Sequence, residues 1–447
     1  MKILIFHGYM LRGTGSNIYN ANLARALAGL GHEVHLLCQD RETRIEGVTI
    51  HNPDIGGLLP VYVKDPYPGF RVKAFPELSE DELDRYLEEN VLAVRAVAAT
   101  AGGVDLALAN HLVMGPAILA RAAVAPFAAK IHGSALEYTV KPHPRFLPFA
   151  EEGVEAARGV LVGSRHTAES LWEALPARAP GLEAKTRLGP PGVDTEEFRP
   201  AAGRRDPLVV FVGKLIVSKG LDLLLAAWPL VLAEHPEARL RIAGFGAYED
   251  GLWRLLSALE RGDLDDAREV ARRGRGLEGG EEAPLKILSS FLAEPPAGYL
   301  EAAAGMTGSV QFIGRLEHDQ VAALLPNAEA LVMPSTFPEA FGMVAVEAAA
   351  CGALPVSADH SGMREVSGRL AAGLPDGVGD LTSFPVGHGS VEAIAGRLNR
   401  WFGLSEAERT EAREALVETT QRLWSWEGVA RGVLAAASGE LDVLPLA

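Results

Sequence analysis

The chain has 447 residues, 48% of them hydrophobic and 22% charged, and a formal net charge of −16. That length exceeds one ordinary core, so two domains are expected, and the apolar content argues against a mainly disordered chain. Acidic residues outnumber basic ones in both halves, so the basic face that nucleic acid requires is absent, although the charge balance is compatible with weak membrane docking through a local patch.

MKILIFHGYM enters a strand-like run directly, without an apolar signal core and cleavage site. No stretch reaches the ~18 uninterrupted apolar residues of a membrane span. Cys38 and Cys351 sit in apolar contexts without CxxC spacing and read as small buried side chains in a reducing compartment. A cytoplasmic location is the expectation.

From there β-like and helix-like segments alternate. KILIF is followed by the helical SNIYNANLARALAGLGH and then by EVHLLC, with further strand-like runs at VDLALAN, PFAAKIHG and GVLVGS. This alternation implies βαβ units and mainly parallel sheets, an α/β class. Near residue 190 the texture changes to GPPGVDTEEFRPAAGRRDP, a linker, and strand-like runs resume at LVVFVGKL, RLRIAGFG, SVQFIG, EALVMPS and ALPVSA. The domains are therefore set at 1–200 and 201–423. Between RIAGFG and SVQFIG, residues 247–308 are charged, helical and amphipathic, an inserted helical subdomain or lid, or equally a solvated helical hairpin without function. LWSWEGVARGVLAAA closes the chain as another helix with an apolar face.

Candidate chemistry falls just after the strands, where parallel sheets bind ligands. MLRGTGSNIYN places Gly13 to Gly15 at a turn before a helix, where N–H groups could cradle phosphate or merely make a tight turn. FVGKLIVSKGLDLLL sets Gly213 and Lys214, then Lys219 and Gly220, at a strand-to-helix crevice; two cations there form an anion site unless they are simply solvated. In FPEAFGMVAVEAAACGALPV, Gly342 marks a helix start. Glu339 then lies in the loop before it, and Glu347 lies on its second turn, facing inward among Val and Ala. A carboxylate so placed costs several kcal/mol unless something hydrogen-bonds it, a sugar hydroxyl pair or a local protein partner. His132 in KIHGSALEY, at a strand end, is placed as a ligand group or a structural one.

Together these residues resemble the retaining nucleotide-sugar glycosyltransferases of the group 1, or family 4, class. The most specific element is the E-x7-E pattern of Glu339 and Glu347; GK-x4-KG and PPGVDTEEF support it in the right order. The resemblance implies the GT-B architecture, with two Rossmann-like doubly wound parallel-sheet domains facing a central cleft, and the helix in 424–447 crossing back onto the first. It implies that Glu339 contacts donor-sugar hydroxyls, that the backbone of Phe341, Gly342 and Met343 lies along the sugar and phosphates, and that Glu347 accepts from the ribose diol. Lys214 and Lys219 would neutralise the diphosphate beside Gly213. Gly15 would approach it from the first domain, His132 would face the transferred sugar, and Arg315 and Leu316 of FIGRLEH would line the base.

The reaction so implied moves a hexose from a nucleoside-diphosphate sugar to a hydroxyl on a small-molecule, glycan or lipid-linked acceptor. No cofactor or metal is expected. The single D-x-D, Asp263 to Asp265, lies in the charged insertion and reads as a solvated helix face. HNPDIGGLLPVYVKDPYPGFRVKAFPELSEDEL reads as an acceptor loop or an ordinary packed loop. A phosphorylase or epimerase of similar architecture, or a non-catalytic nucleotide-sugar-binding protein, remain the alternatives.

Overall fold

The computed structural model describes residues 1–63, 67, 69–203 and 205–447. The chain divides into two compact units, Met1–Gly192 with Trp424–Ala447, and Val193–Leu423. The division falls at 192/193 where the sequence reading set it at 200/201, because VDTEEF packs with the second unit. Among the described residues no helix is long and apolar enough to cross a membrane.

The first unit is built from β1 (Lys2–Phe6), β2 (Glu33–Leu37), β3 (Val48–His51), β4 (Leu58–Val61), β5 (Arg71–Ala74), β6 (Leu106–Asn110), β7 (Phe127–Ile131), β8 (Gly159–Val162) and β9 (Thr186–Leu188). Seven of them form one sheet in the order β3-β2-β1-β6-β7-β8-β9, and every neighbouring pair is parallel. A parallel sheet is covered on both faces, so its central strands are apolar throughout. One face of β1 and β6 sends Leu4, Phe6, Ala107 and Ala109 into a core shared with helix Glu80–Thr100. The other sends Ile3, Ile5, Leu106 and Leu108 against helix Gly15–Gly29 and the C-terminal helix Trp426–Ser438. β4 and β5 make a separate parallel pair in the Pro-rich stretch 51–83, whose residues 64–66 and 68 lie outside the described residues.

The second unit carries β10 (Leu208–Val212), β11 (Arg239–Ala243), β12 (Val310–Gly314), β13 (Ala330–Met333), β14 (Leu354–Ala358) and β15 (Ser383–Phe384), in the order β12-β11-β10-β13-β14-β15 and all parallel. Strand order reverses between β10 and β13, the kind of switch point at whose strand ends ligands bind doubly wound sheets. In the first unit the same reversal lies between β1 and β6.

Residues 247–308, read from the sequence as a subdomain or lid, hold helices Glu249–Glu260, Leu264–Arg273, Lys286–Ala293 and Tyr299–Ala303. Their apolar side chains, among them Leu252, Val270, Leu288 and Phe291, join the same core as Leu224 and Trp228 of helix Leu221–Leu232. Tyr299 also donates to the Ala226 carbonyl at 2.9 Å. The segment thickens the core and is not a separate lid.

Candidate active site

After β10 the chain passes Gly213 and Lys214, makes a short turn through Val217–Lys219, and enters helix Leu221–Leu232 at Gly220. Gly220 has φ +66°, and a Cβ there would stand 2.0 Å from the Pro334 carbonyl oxygen. Glycine thus lets the loop after β10 press against the loop after β13. Thr336 N–H donates to the Ser218 carbonyl at 2.9 Å, and Ser335 Oγ donates to the same oxygen at 3.0 Å. This stitching brings Lys219 and Glu339, 120 positions apart, into an ion pair. Ser335 Oγ also lies 2.8 Å from Glu339 Oε1.

The backbone of Glu339 is held as firmly as its carboxylate. Its N–H donates to Ser361 Oγ at 3.0 Å and its carbonyl accepts from Gly362 N–H at 2.9 Å. Gly342, at φ +96°, is the N-cap of helix Met343–Ala350, so the N–H groups of its first turn open beside the Glu339 loop. Phe341 is buried, while Gly342 and Met343 are partly exposed at this helix start. Glu347 lies on the second turn and is buried. Its partner is His318, whose Nε2 donates to Oε1 at 3.1 Å. Arg315 and Leu316 follow β12; the Arg315 guanidinium sits 5.1 Å from the centroid of the Phe245 ring and pairs with Glu317 at 3.1 Å. Lys214 is partly buried directly after β10.

The first unit gathers a second polar group at its own strand ends. Gly15 begins helix Gly15–Gly29, whose N-cap Thr14 makes no side-chain hydrogen bond, so first-turn N–H groups remain open to an anion. His132 follows β7 and is partly buried. Its Nε2 donates to Asn110 Oδ1 at 2.7 Å. Asn110 also exchanges hydrogen bonds with Asn20, which donates to His7 Nδ1 at 3.0 Å. Burial, then the neighbouring His111 and Lys130, hold His132 well below the usual imidazole range, so it acts as a neutral donor. His7 is pushed down to about 4 by burial. His111, at φ +67°, is buried with neither ring nitrogen hydrogen-bonded to the protein.

Profiles of two families cover most of the chain: "Glycosyl transferases group 1" matches residues 193–263 and 298–421, and "Glycosyltransferase Family 4" matches 13–197. The chain belongs to the group 1, family 4 glycosyltransferases. The D-inositol 3-phosphate glycosyltransferase of Frankia alni is 27% identical over 396 residues, 80% of this chain and 82% of that protein. Among solved structures, the sucrose-phosphate synthase of Thermosynechococcus elongatus aligns over 99% of both chains, with a TM-score of 0.62 at 20% identity. Anabaena HepE in complex with UDP-glucose aligns over 98% of this chain and 99% of its own, with a TM-score of 0.60 at 16% identity. The glycosyltransferase therefore has the GT-B α/β fold.

The group 1 match leaves residues 264–297 of this glycosyltransferase uncovered, which narrows the insertion to helices Leu264–Arg273 and Lys286–Ala293 with their connections. Asp263, the last matched residue before it, is a helix N-cap, its Oδ1 accepting from Asp266 N–H at 3.0 Å, and Asp265 pairs with Arg268 at 3.2 Å. Of the residues singled out in the sequence, the fold joins Lys219 to Glu339 and sets Gly342 and Met343 at the adjoining helix start. Gly15 and His132 lie in the other unit. Sequence reasoning missed Ser335, Ser361 and His318 around the two glutamates. It also missed His7, Asn110 and His111; FHG after β1 and ANH after β6 stand at strand ends as His132 does, which was the available signal.

Proposed function

We propose that this glycosyltransferase moves a hexose from a nucleoside-diphosphate sugar to a hydroxyl acceptor, with retention at the anomeric carbon and with no metal required. The observation that carries the reading is the Lys219–Glu339–Ser335 cluster at the β10/β13 reversal, set beside two helix starts. The UDP-glucose held by Anabaena HepE and the family membership support the donor class.

Breaking the anomeric C–O bond builds positive charge on the sugar and negative charge on the diphosphate. Fixed cations and helix N-termini aimed at the phosphates stabilise that charge without needing to reorganise. Lys214 and Lys219 supply the cations beside Gly213, and Gly15 heads the corresponding helix of the N-terminal unit. Glu339 accepts from hydroxyls of the donor sugar, and donor binding loosens its pairing with Lys219, freeing that ammonium for the phosphates. Phe341, Gly342 and Met343 offer backbone along the donor, Glu347 accepts from the ribose diol, and Arg315 and Leu316 line the base. His132, held neutral, hydrogen-bonds the transferred sugar without placing a cation beside the developing oxocarbenium. The departing phosphate takes the proton of the attacking hydroxyl on the same face.

The test is turnover of UDP-, GDP- and ADP-hexoses in the presence of EDTA. Acceptors are hexoses and phosphorylated polyols, the latter included because the Frankia relative is named for an inositol phosphate. NMR reads the anomeric configuration of the product. The expected product keeps the donor's configuration, and Lys219→Ala lowers kcat by about 10²-fold through lost stabilisation of the leaving group. An inverted product, a strict metal requirement, or a Lys219→Ala enzyme of wild-type rate each counts against the corresponding part of the mechanism.

A further inference from the structure

Resting on that donor reading, we infer that His318 is a positioning residue for Glu347, held by the turn at 193–198, and that its positive charge sets the grip on the ribose diol. PPGVDTEEF has no role in the chemistry above, and the structure shows what its second half touches. Asp194 Oδ1 accepts from the N–H groups of Glu196 and Glu197 at 3.0 and 3.2 Å, and Phe198 N–H donates to the Asp194 carbonyl at 2.8 Å. The turn so fixed presents Phe198 and Glu197 to the first residue of helix His318–Leu324. The Phe198 and His318 ring centroids are 4.9 Å apart, and Glu197 Oε2 lies 3.6 Å from His318 Nδ1.

Both imidazole nitrogens thus face carboxylates, Nε2 that of Glu347 and Nδ1 that of Glu197. A neutral imidazole has one N–H; two acceptors call for the cation. Glu347 uses Oε1 for His318 and receives no protein hydrogen bond on Oε2 among the described residues, which leaves that oxygen for a vicinal diol. The charged groups facing His318 are Glu347 on helix Met343–Ala350 and Glu197 and Asp194 on the turn. On its own element Glu317 is paired with Arg315, and Asp319 is exposed. Burial works against the charged ring, but the three facing carboxylates outweigh it, so the pKa of His318 lies above the ordinary 6.5. The ring therefore keeps its charge to higher pH than a free imidazole and loses it as pH rises through that raised value.

The test needs no variant at first. UDP, GDP and ADP are titrated calorimetrically into the full-length enzyme between pH 6.5 and 9, followed by the 2′-deoxy form of whichever binds. Ionisation of the diphosphate affects both forms alike and cancels in the ratio of their Kd values. That ribo-over-deoxy preference is expected to fall about fivefold or more across the range. In His318→Gln it is small and flat, with the melting temperature reporting that the variant is folded. A preference independent of pH in the wild type, or a wild-type profile in His318→Gln, overturns the role of His318. Should Glu347→Gln bind the ribonucleotide as tightly as wild type, or none of the three nucleotides bind, the donor reading itself falls.

Discussion

A lysine in the middle of a parallel sheet is the residue least expected from its surroundings. Lys130 on β7 is 2% exposed, lies 5.3 Å from the centroid of the Tyr19 ring, and donates to the Gly189 carbonyl at 2.6 Å. Desolvation pushes its ammonium down to about 7, from the 10.5 it has in water. Between those values the unfolded chain binds a proton that the folded chain does not, so stability rises with pH. Below pH 7 both states are protonated and the full penalty is present. Lys130→Met removes the titration. From pH 7 to 8.5 the wild type should gain about 1.5 kcal/mol relative to the change in the variant, read from urea midpoints. That window stays below pH 9, where the buried thiols of Cys38 and Cys351, pushed up to about 12, begin to act in the opposite direction. Parallel curves for the two proteins would show that Lys130 keeps an ordinary pKa.

Loops after strands, positioned by glycine, are the elements that assemble the Lys219–Glu339–Ser335 cluster. Gly220 carries φ +66° and has no room for a Cβ against Pro334, whereas a Cβ on Gly213 would meet only the Phe211 ring at 3.4 Å. Gly220→Ala therefore has to part the two loops or strain the backbone, at a cost of about 2 kcal/mol or more, and it moves Lys219 away from Glu339. Gly213→Ala should melt within about 1 kcal/mol of wild type. Equal melting of the two variants would mean that the loops give way freely. At this scale the sequence was informative wherever a central parallel strand is a continuous apolar run: KILIF, LALAN and VVFV could be read directly. It was uninformative at the edges, where β3, β4, β5, β9 and β15 are short and lack a periodic pattern. The start of the Glu347 helix was readable because Gly342 punctuates it. His318, the partner of Glu347, was not, since that contact spans 29 positions and depends on how two loops fold. The packing of 247–308 was hidden for a related reason: an amphipathic helix shows that it has an apolar face, but not which core that face joins.

On the scale of the whole molecule, the first unit is discontinuous in sequence and its last helix is integral to it. Helix Trp426–Ser438 buries Ala430, Val433, Ala436 and Ala437 against the face of the sheet that includes Leu106, Leu108, Ala128 and Leu161. The approach is close enough that a Cβ on Gly159 would stand 2.8 Å from the Ala436 carbonyl oxygen. Beyond the helix the tail closes the sheet edge: Leu188 N–H donates to the Pro445 carbonyl, and Arg187 Nε donates to that of Leu441, both at 2.9 Å. Removing residues 424–447 uncovers an apolar sheet face and leaves β9 without its cover, losses of several kcal/mol by area. The second unit has its own hydrophobic cluster. The truncated chain should therefore lose hydrogen-exchange protection in β6, β7 and β8 while β10, β11 and β13 keep theirs. Uniform protection of both sheets after truncation would show that the first unit folds without its C-terminal helix. Uniform loss would show that the two units fold as one cooperative body.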